Sequence, residues 1–257
     1  PETGYQFLGW FEGDTKVADS LEFVPEKPES GWVTATYTAK FAPKHDVKYE
    51  VKHYTQNLSR DGYELMDTET HNTGVTNETV SAVPKKYEGF TLNPSAAGTM
   101  PSGVVVGDGS LVLKLYYDRN THTVTYQVTG DHFANAAFVV RENVPFGTKL
   151  SLINNDMQKQ GYVWSGWTGL PQTMPDADVV VAGSYTPADN TVYTVRHWFQ
   201  NVDNDEYAQD PSLAPDEEMT GTTGGMTAAA AKTLPGFKAQ AIEQETIAAD
   251  GSTVVDV

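Results

Sequence analysis

Cysteine is absent from all 257 residues. Thiol catalysis, disulfides, thioester chemistry and Cys-based zinc sites are excluded together, and an oxidising compartment poses such a chain no folding problem. Basic residues are scarce: 17 Lys and Arg stand against 34 Asp and Glu, a formal net charge of −17. Phosphate contacts need Lys and Arg, so nucleic acid and anionic lipid surfaces are set aside as partners. No apolar run approaches the roughly 18 residues that read as a membrane span, and no membrane insertion by this segment is expected. The six histidines, His45, His53, His71, His122, His132 and His197, are scattered, with no HExxH, P-loop or Rossmann glycine pattern. What is present is 39% hydrophobic and 11% aromatic residues, enough to build cores and unlike a disordered acidic tail.

The chain repeats itself, and internal repeats decide the architecture before any motif does. YEVKHYTQN from Tyr49 recurs 144 residues later as YTVRHWFQN from Tyr193. The match continues through Tyr63 and Tyr207, Gly89-Phe90 and Gly236-Phe237, and Asp108-Gly109-Ser110 and Asp250-Gly251-Ser252. The offset drifts to 147 and then 142, as it does when only loops change length. A second unit is also duplicated: GYQFLGW at Gly4 to Trp10 returns as GYVWSGW at Gly161 to Trp167. The order is A–B–A–B, with expected modules at 1–45, 46–120, 121–189 and 190–257. The first A module lacks the counterpart of 121–160 and the last B module its final strand, so both ends are expected to be cuts through a longer array. Residues 1–44 are expected to lean on the first B module.

The local signal is mostly strand. Tyr49, Val51, His53 and Thr55 alternate with Lys48, Glu50, Lys52 and Tyr54, the period-2 pattern of a half-buried strand. Leu111, Leu113 and Leu115 give another, entered through the Gly107-Asp108-Gly109 turn. Val124, Tyr126 and Val128, Phe138 to Val140, and Val179 to Val181 add more, while Glu78 to Pro84 is read as one short helix closed by Pro84. The fold class expected is mainly β with short helices (α+β). At about 70 residues a single module has a marginal core, which contacts with its neighbours would supplement. The linkers His45-Asp46, Asn120-Thr121 and Asp189-Asn190 are short, so a fairly stiff, elongated rod is expected.

The B modules, with YxVxHYxQN, the later GF, and DGS leading into a strand and YYDRN at 116–120, resemble MucBP (mucin-binding protein) repeats. The A modules, with GYxFxGW and a β-rich end, resemble internalin-type B-repeats. The resemblance covers nearly the whole chain, and the second B module departs from the first at Trp198 for Tyr54 and in the Ala228 to Ala231 run. It implies small β-grasp (ubiquitin-like) modules in a cell-wall-anchored surface adhesin, or its stalk, of a Gram-positive bacterium.

Candidate sites follow from the repeats. Tyr54 and Trp198 fall on the polar strand face, beside Gln56 and Gln200. A ring there can cover a sugar's C–H face while an amide bonds its hydroxyls, so these four residues are the expected ligand contacts. The alternative is that both rings pack against a neighbouring module. His53 and His197 share the inward face, and as buried imidazoles they need hydrogen-bond partners. Trp10, Trp164 and Trp167 are assigned to packing. The fourth module carries −8 of the charge, in Asp203, Asp205, Glu206, Asp210, Asp216, Glu217 and Glu218 above all. It lacks the DxDxDG calcium turn, so a solvated loop is expected there. An intramolecular Lys–Asn crosslink is disfavoured, because Lys48 and Lys52 lie on the charged face. No cofactor, metal or enzymatic activity is expected. The reading is an extracellular, monomeric adhesin segment binding host mucin-type glycoprotein glycans; the alternative is a stalk that binds nothing and projects a distal domain.

Overall fold

Alternating patterns become strands throughout. The computed structural model describes residues 1–31, 34–129, 137–153 and 157–257, and holds eighteen strands and no helix among the described residues. The chain divides into two units: residues 1–122 with 145–148, and residues 123–144 with 149–257.

In the first unit, β1 (Tyr5–Glu12), β2 (Thr15–Ala18) and β3 (Tyr37–Pro43) form a three-stranded sheet in the order β2-β1-β3. Aromatic rings pack together on it: Phe7 meets Trp10 and Phe41, and Trp10 stacks on Phe23. The main sheet follows, from β4 (Val47–Gln56), β5 (Tyr63–Gly74), β7 (Phe90–Leu92) and β9 (Val112–Arg119), in the order β5-β4-β9-β7. Its central pair, β4 and β9, is parallel, with Val51 opposite Leu113 and Tyr54 opposite Tyr116. One face buries Val47, Tyr49, Val51, Leu111 and Leu113 against Val105. Burial of side chains of this size contributes roughly 1.5–3 kcal/mol each.

The helix expected over 78–84 does not form. Thr79–Ser81 is strand β6, paired antiparallel with β8 (Ser102–Val104). Seven residues are too few to offset helix nucleation. Thr79, Val80 and Val83 are β-branched, and Pro84 pushes Val83 towards extended backbone. The extended form also lays Val80 on the core. The fold is therefore all-β rather than α+β.

In the second unit, β10 (Thr121–Thr129), β11 (Ala137–Pro145), β12 (Tyr162–Thr168) and β13 (Val179–Pro187) form a sheet in the order β11-β10-β13-β12, with β10 and β13 parallel. Val124, Tyr126, Val179 and Val181 are its buried centre, with Met174 and the flanking Trp167 packed on them. A further sheet, β17-β14-β18, joins β14 (Thr191–Arg196) to β17 (Glu217–Gly221) antiparallel and to β18 (Val254–Asp256) parallel. Its core is Tyr193, Val195, Ala229, Ile247 and Val255. β15 (Phe199–Gln200) and β16 (Tyr207–Ala208) make a small hairpin whose tip holds Asp203 and Asp205.

A recurring backbone latch sits beside the Gly-aromatic steps. The Gly4 carbonyl accepts the Lys44 N–H, and the Lys44 carbonyl accepts the Thr76 N–H. In the same way Gly89 accepts from Asn120, whose carbonyl accepts from Phe146. Gly161 accepts from Ala188, whose carbonyl accepts from Thr223. All three glycines have positive φ and backbone or ring atoms against the Cβ position, so only glycine fits. Gly4 lies against Gly107 and Thr76, so the Gly4–Lys44 latch holds this part of the chain to the loops that follow β5 and β8.

Candidate ligand-binding face and its supporting core

Strand β4 sorts its side chains by parity. Tyr49, Val51, His53 and Thr55 are buried, while Lys48 is exposed and Glu50, Lys52, Tyr54 and Gln56 are half-buried on the other face. The parallel register puts Tyr54 beside Tyr116, and their rings stack at 4.9 Å and 14°. Tyr63, opposite Gln56 on β5, sets its ring edge-on to Tyr116 at 5.0 Å. Tyr54 therefore packs on its own sheet.

Polar groups frame these rings. The Tyr63 hydroxyl donates to Asp118, and Asn93 donates to the second Asp118 oxygen at 2.9 Å. Burial, followed by the Asp118 bond, raises the Tyr63 phenol above its ordinary pKa, and burial raises that of Tyr116. Gln56 is already engaged: its oxygen accepts the Arg119 N–H at 3.1 Å and its amide donates to the Arg60 carbonyl at 3.3 Å. Gly98, at positive φ, lies close under the Tyr116 hydroxyl.

The second copy is built differently. Trp198 is half-buried just past β14, its indole N–H donating to Asp256 at 2.9 Å. Arg196 grips the same carboxylate with two bonds, at 2.9 and 3.2 Å, and its guanidinium lies 5.8 Å from the indole centroid. Gln200 is exposed and donates to Asp205 at the hairpin tip. Tyr116, Tyr63, Asp118 and Asp256 belong to these faces and were not singled out from sequence. The signals for the first three were the Tyr63/Tyr207 match and the YYDRN motif.

Beneath the first face, His53 is wholly buried. Its Nε2 lies 3.0 Å from Glu69 and its Nδ1 3.0 Å from the Tyr117 hydroxyl. Carboxylates only accept, so in the neutral ring Nε2–H donates to Glu69 and Nδ1 accepts from Tyr117. That hydroxyl in turn accepts the Lys85 backbone N–H at 2.9 Å. Lys85 Nζ also reaches Glu69 at 2.8 Å, and with His53 and Asn72 it holds that carboxyl below the usual range. Burial pushes Tyr87, next to this group, up to about 12. The arrangement recurs as His197–Glu217–Lys232, where Lys232 first and His197 second lower Glu217. Both imidazoles are buried and support their sheets from inside. His132 lies outside the described residues.

No three His, Cys, Asp or Glu side chains converge as a metal site among the described residues. Among the described residues no helix is long and apolar enough to cross a membrane. No family model matches the chain, and no curated protein matches it. Among solved structures it is similar to Streptococcal High Identity Repeats in Tandem (SHIRT) domains 3-4 from a cell surface protein. That match is at 11% identity and a TM-score of 0.20, covering 55% of this chain and 99% of the other.

Proposed function

We propose that this chain is a non-enzymatic repeat segment of a bacterial cell-surface adhesin that binds host mucin-type glycans weakly at each B-type module. The carrying observation is the Tyr54–Tyr116 stack on the outward face of β4 and β9, with Tyr63 edge-on and Asp118 and Asn93 beside it. Aromatic surface bordered by acceptors and amides suits a sugar's alternating C–H and O–H groups. Trp198 with Arg196 and Asp256 is the second such surface. Sites of about 1 mM are worth only about 4 kcal/mol each, and joining two in one chain raises avidity by roughly 10²–10⁴. The β-grasp assignment is supported by strand order: the first and last strands of each four-stranded sheet are parallel and central, with the other two strands outside. Extracellular, wall-anchored placement in a Gram-positive bacterium rests on the MucBP and B-repeat resemblance, and an elongated form rests on the short linkers.

The stalk reading is favoured by one observation: the Gln56 amide and the Trp198 indole N–H are already bonded internally. The deciding experiment is binding of the chain to purified mucin before and after enzymatic removal of O-glycans, beside a Tyr54→Ala/Trp198→Ala double variant. Glycan binding requires loss in both comparisons. Absence of binding at high micromolar chain would move the assignment to the stalk.

A further inference from the structure

The outward faces of the two B-type sheets carry charge in different ways. On the first, the parity that turns Tyr54 and Tyr116 outward also turns out Lys48, Glu50 and Lys52 of β4 and Lys114 of β9. The parallel register sets Lys52 directly opposite Lys114. Neighbouring strands lie about 4.8 Å apart, and like charges placed opposite one another destabilise a sheet. Lys52 is relieved by Glu50 at 3.1 Å. Lys114 is half-buried and makes no ion pair or side-chain hydrogen bond among the described residues.

On the second face the same two places hold Arg196 and Asp256, the counterparts of Lys52 and Lys114 at offsets of 144 and 142. They too stand opposite one another in a parallel register. Here two bonds, at 2.9 and 3.2 Å, neutralise the pair. Glu50 is replaced by Thr194, which carries no charge. The second face therefore satisfies its own charges. The first leaves a cation over, in a chain whose net charge is −17.

The place of that cation matters. β9 presents Lys114, Tyr116 and Asp118 in turn on one face, at steps of roughly 6.6 Å. Asp118 already accepts from Tyr63 and Asn93. The Tyr54–Tyr116 stack thus has an ammonium at one end and an engaged carboxylate at the other.

We propose that the first B-type face selects an acidic sugar, one bearing a carboxylate or a sulfate ester, and that the second face does not. The inference rests on the glycan reading above and adds the charge of the ligand to it. The sugar's apolar face rests against the tyrosine pair, its anionic group meets the Lys114 ammonium, and its hydroxyls turn towards Asp118. A charge-assisted bond of this kind is stronger than a neutral one. The acid excess elsewhere in the chain is no bar, because exposed charges more than about 10 Å away are screened at 0.1 M salt.

The test titrates the full chain with sialyllactose, sulfated lactose and lactose, following the amide shifts of Tyr54, Lys114 and Tyr116, with Arg196 and Trp198 reporting the second face. At the first face an acidic sugar should bind roughly three- to tenfold more tightly than lactose, and at the second there should be no such preference. The larger of the two acidic preferences tells carboxylate from sulfate. Lys114→Gln, and Lys114→Asp, which copies the second face, should bring the ratio to about one or below, whereas Lys114→Arg should keep it. Exchange at Val51 and Leu113 reports whether the sheet is intact in each variant. In the unaltered chain the preference should shrink as salt rises from about 0.05 to about 0.5 M. Equal affinity for all three sugars, a preference that survives Lys114→Gln, or one indifferent to salt would overturn this inference and leave glycan binding standing. Shifts with none of the three would overturn both.

Discussion

Tyr117→Phe is the sharpest probe of the buried network. It keeps the ring, and with it the packing against His53 and Tyr87, and removes one oxygen. That oxygen serves His53 Nδ1 at 3.0 Å and the Lys85 N–H at 2.9 Å. Each buried partner left unsatisfied costs about 1–3 kcal/mol. His53 is 0% exposed and bears the full penalty, whereas water reaches the part-buried Lys85 amide more readily. The expected loss is about 2–4 kcal/mol. For a cooperative region of this size that lowers Tm by roughly 10–25 °C. Native-state amide exchange at Val51 and Leu113 reads the affected sheet, and Val195 and Val255 of the second unit serve as the internal control. His53→Leu in the Tyr117→Phe background should add less than it does alone, because the two share one interaction. A loss below about 0.5 kcal/mol, or one shared equally by Val195, would refute the reasoning.

Glu69 links stability to acid. Its folded pKa is depressed by Lys85 first, and the ordinary value is 4.5. Its contribution is therefore present above pH 4.5 and lost as pH falls through the lower folded value. Acid titration of Glu69→Gln should show a flatter fall in stability below that pH than the unaltered chain. Gly161→Ala puts a Cβ 2.5 Å from the Ala249 carbonyl at a φ of 74°. The left-handed backbone alone costs roughly 1–2 kcal/mol. Exchange should quicken at the Ala188 and Thr223 amides of that latch, while Val181 stays protected. Gly98→Ala crowds the Tyr116 hydroxyl, with a Cβ at 3.0 Å. On the glycan reading it should weaken mucin binding without changing exchange at Val51.

Parity made the strands legible. The alternation from Lys48 to Thr55 is enough to say which residues turn inward, and His53 and His197 are buried as that parity implies. The latch glycines could be seen as repeated Gly-aromatic steps, though not as hydrogen-bond acceptors, because their partners lie 27 to 40 residues away in sequence. The segment 78–84 misled because a closing proline suits a helix end and an extended stretch alike, and only pairing with β8 decides between them. The Tyr54 stack was out of reach for a similar reason. Strand order and register, not local pattern, bring Tyr116 beside it. Nor does composition reveal that Gln56 spends its amide on Arg60 and Arg119.

The parallel central pairs carry a mechanical consequence. In the first unit the main sheet is entered on β4 and left on β9, which are hydrogen-bonded neighbours running the same way. Tension applied at the two ends of that segment pulls these strands along their lengths in opposite directions. Every bond from Glu50–Val112 to Thr55–Tyr117 is then loaded at once, whereas an antiparallel hairpin pulled at its open end would unzip bond by bond. β10 and β13 give the same loading in the second unit. Sheets loaded in this way would yield in one step rather than bond by bond.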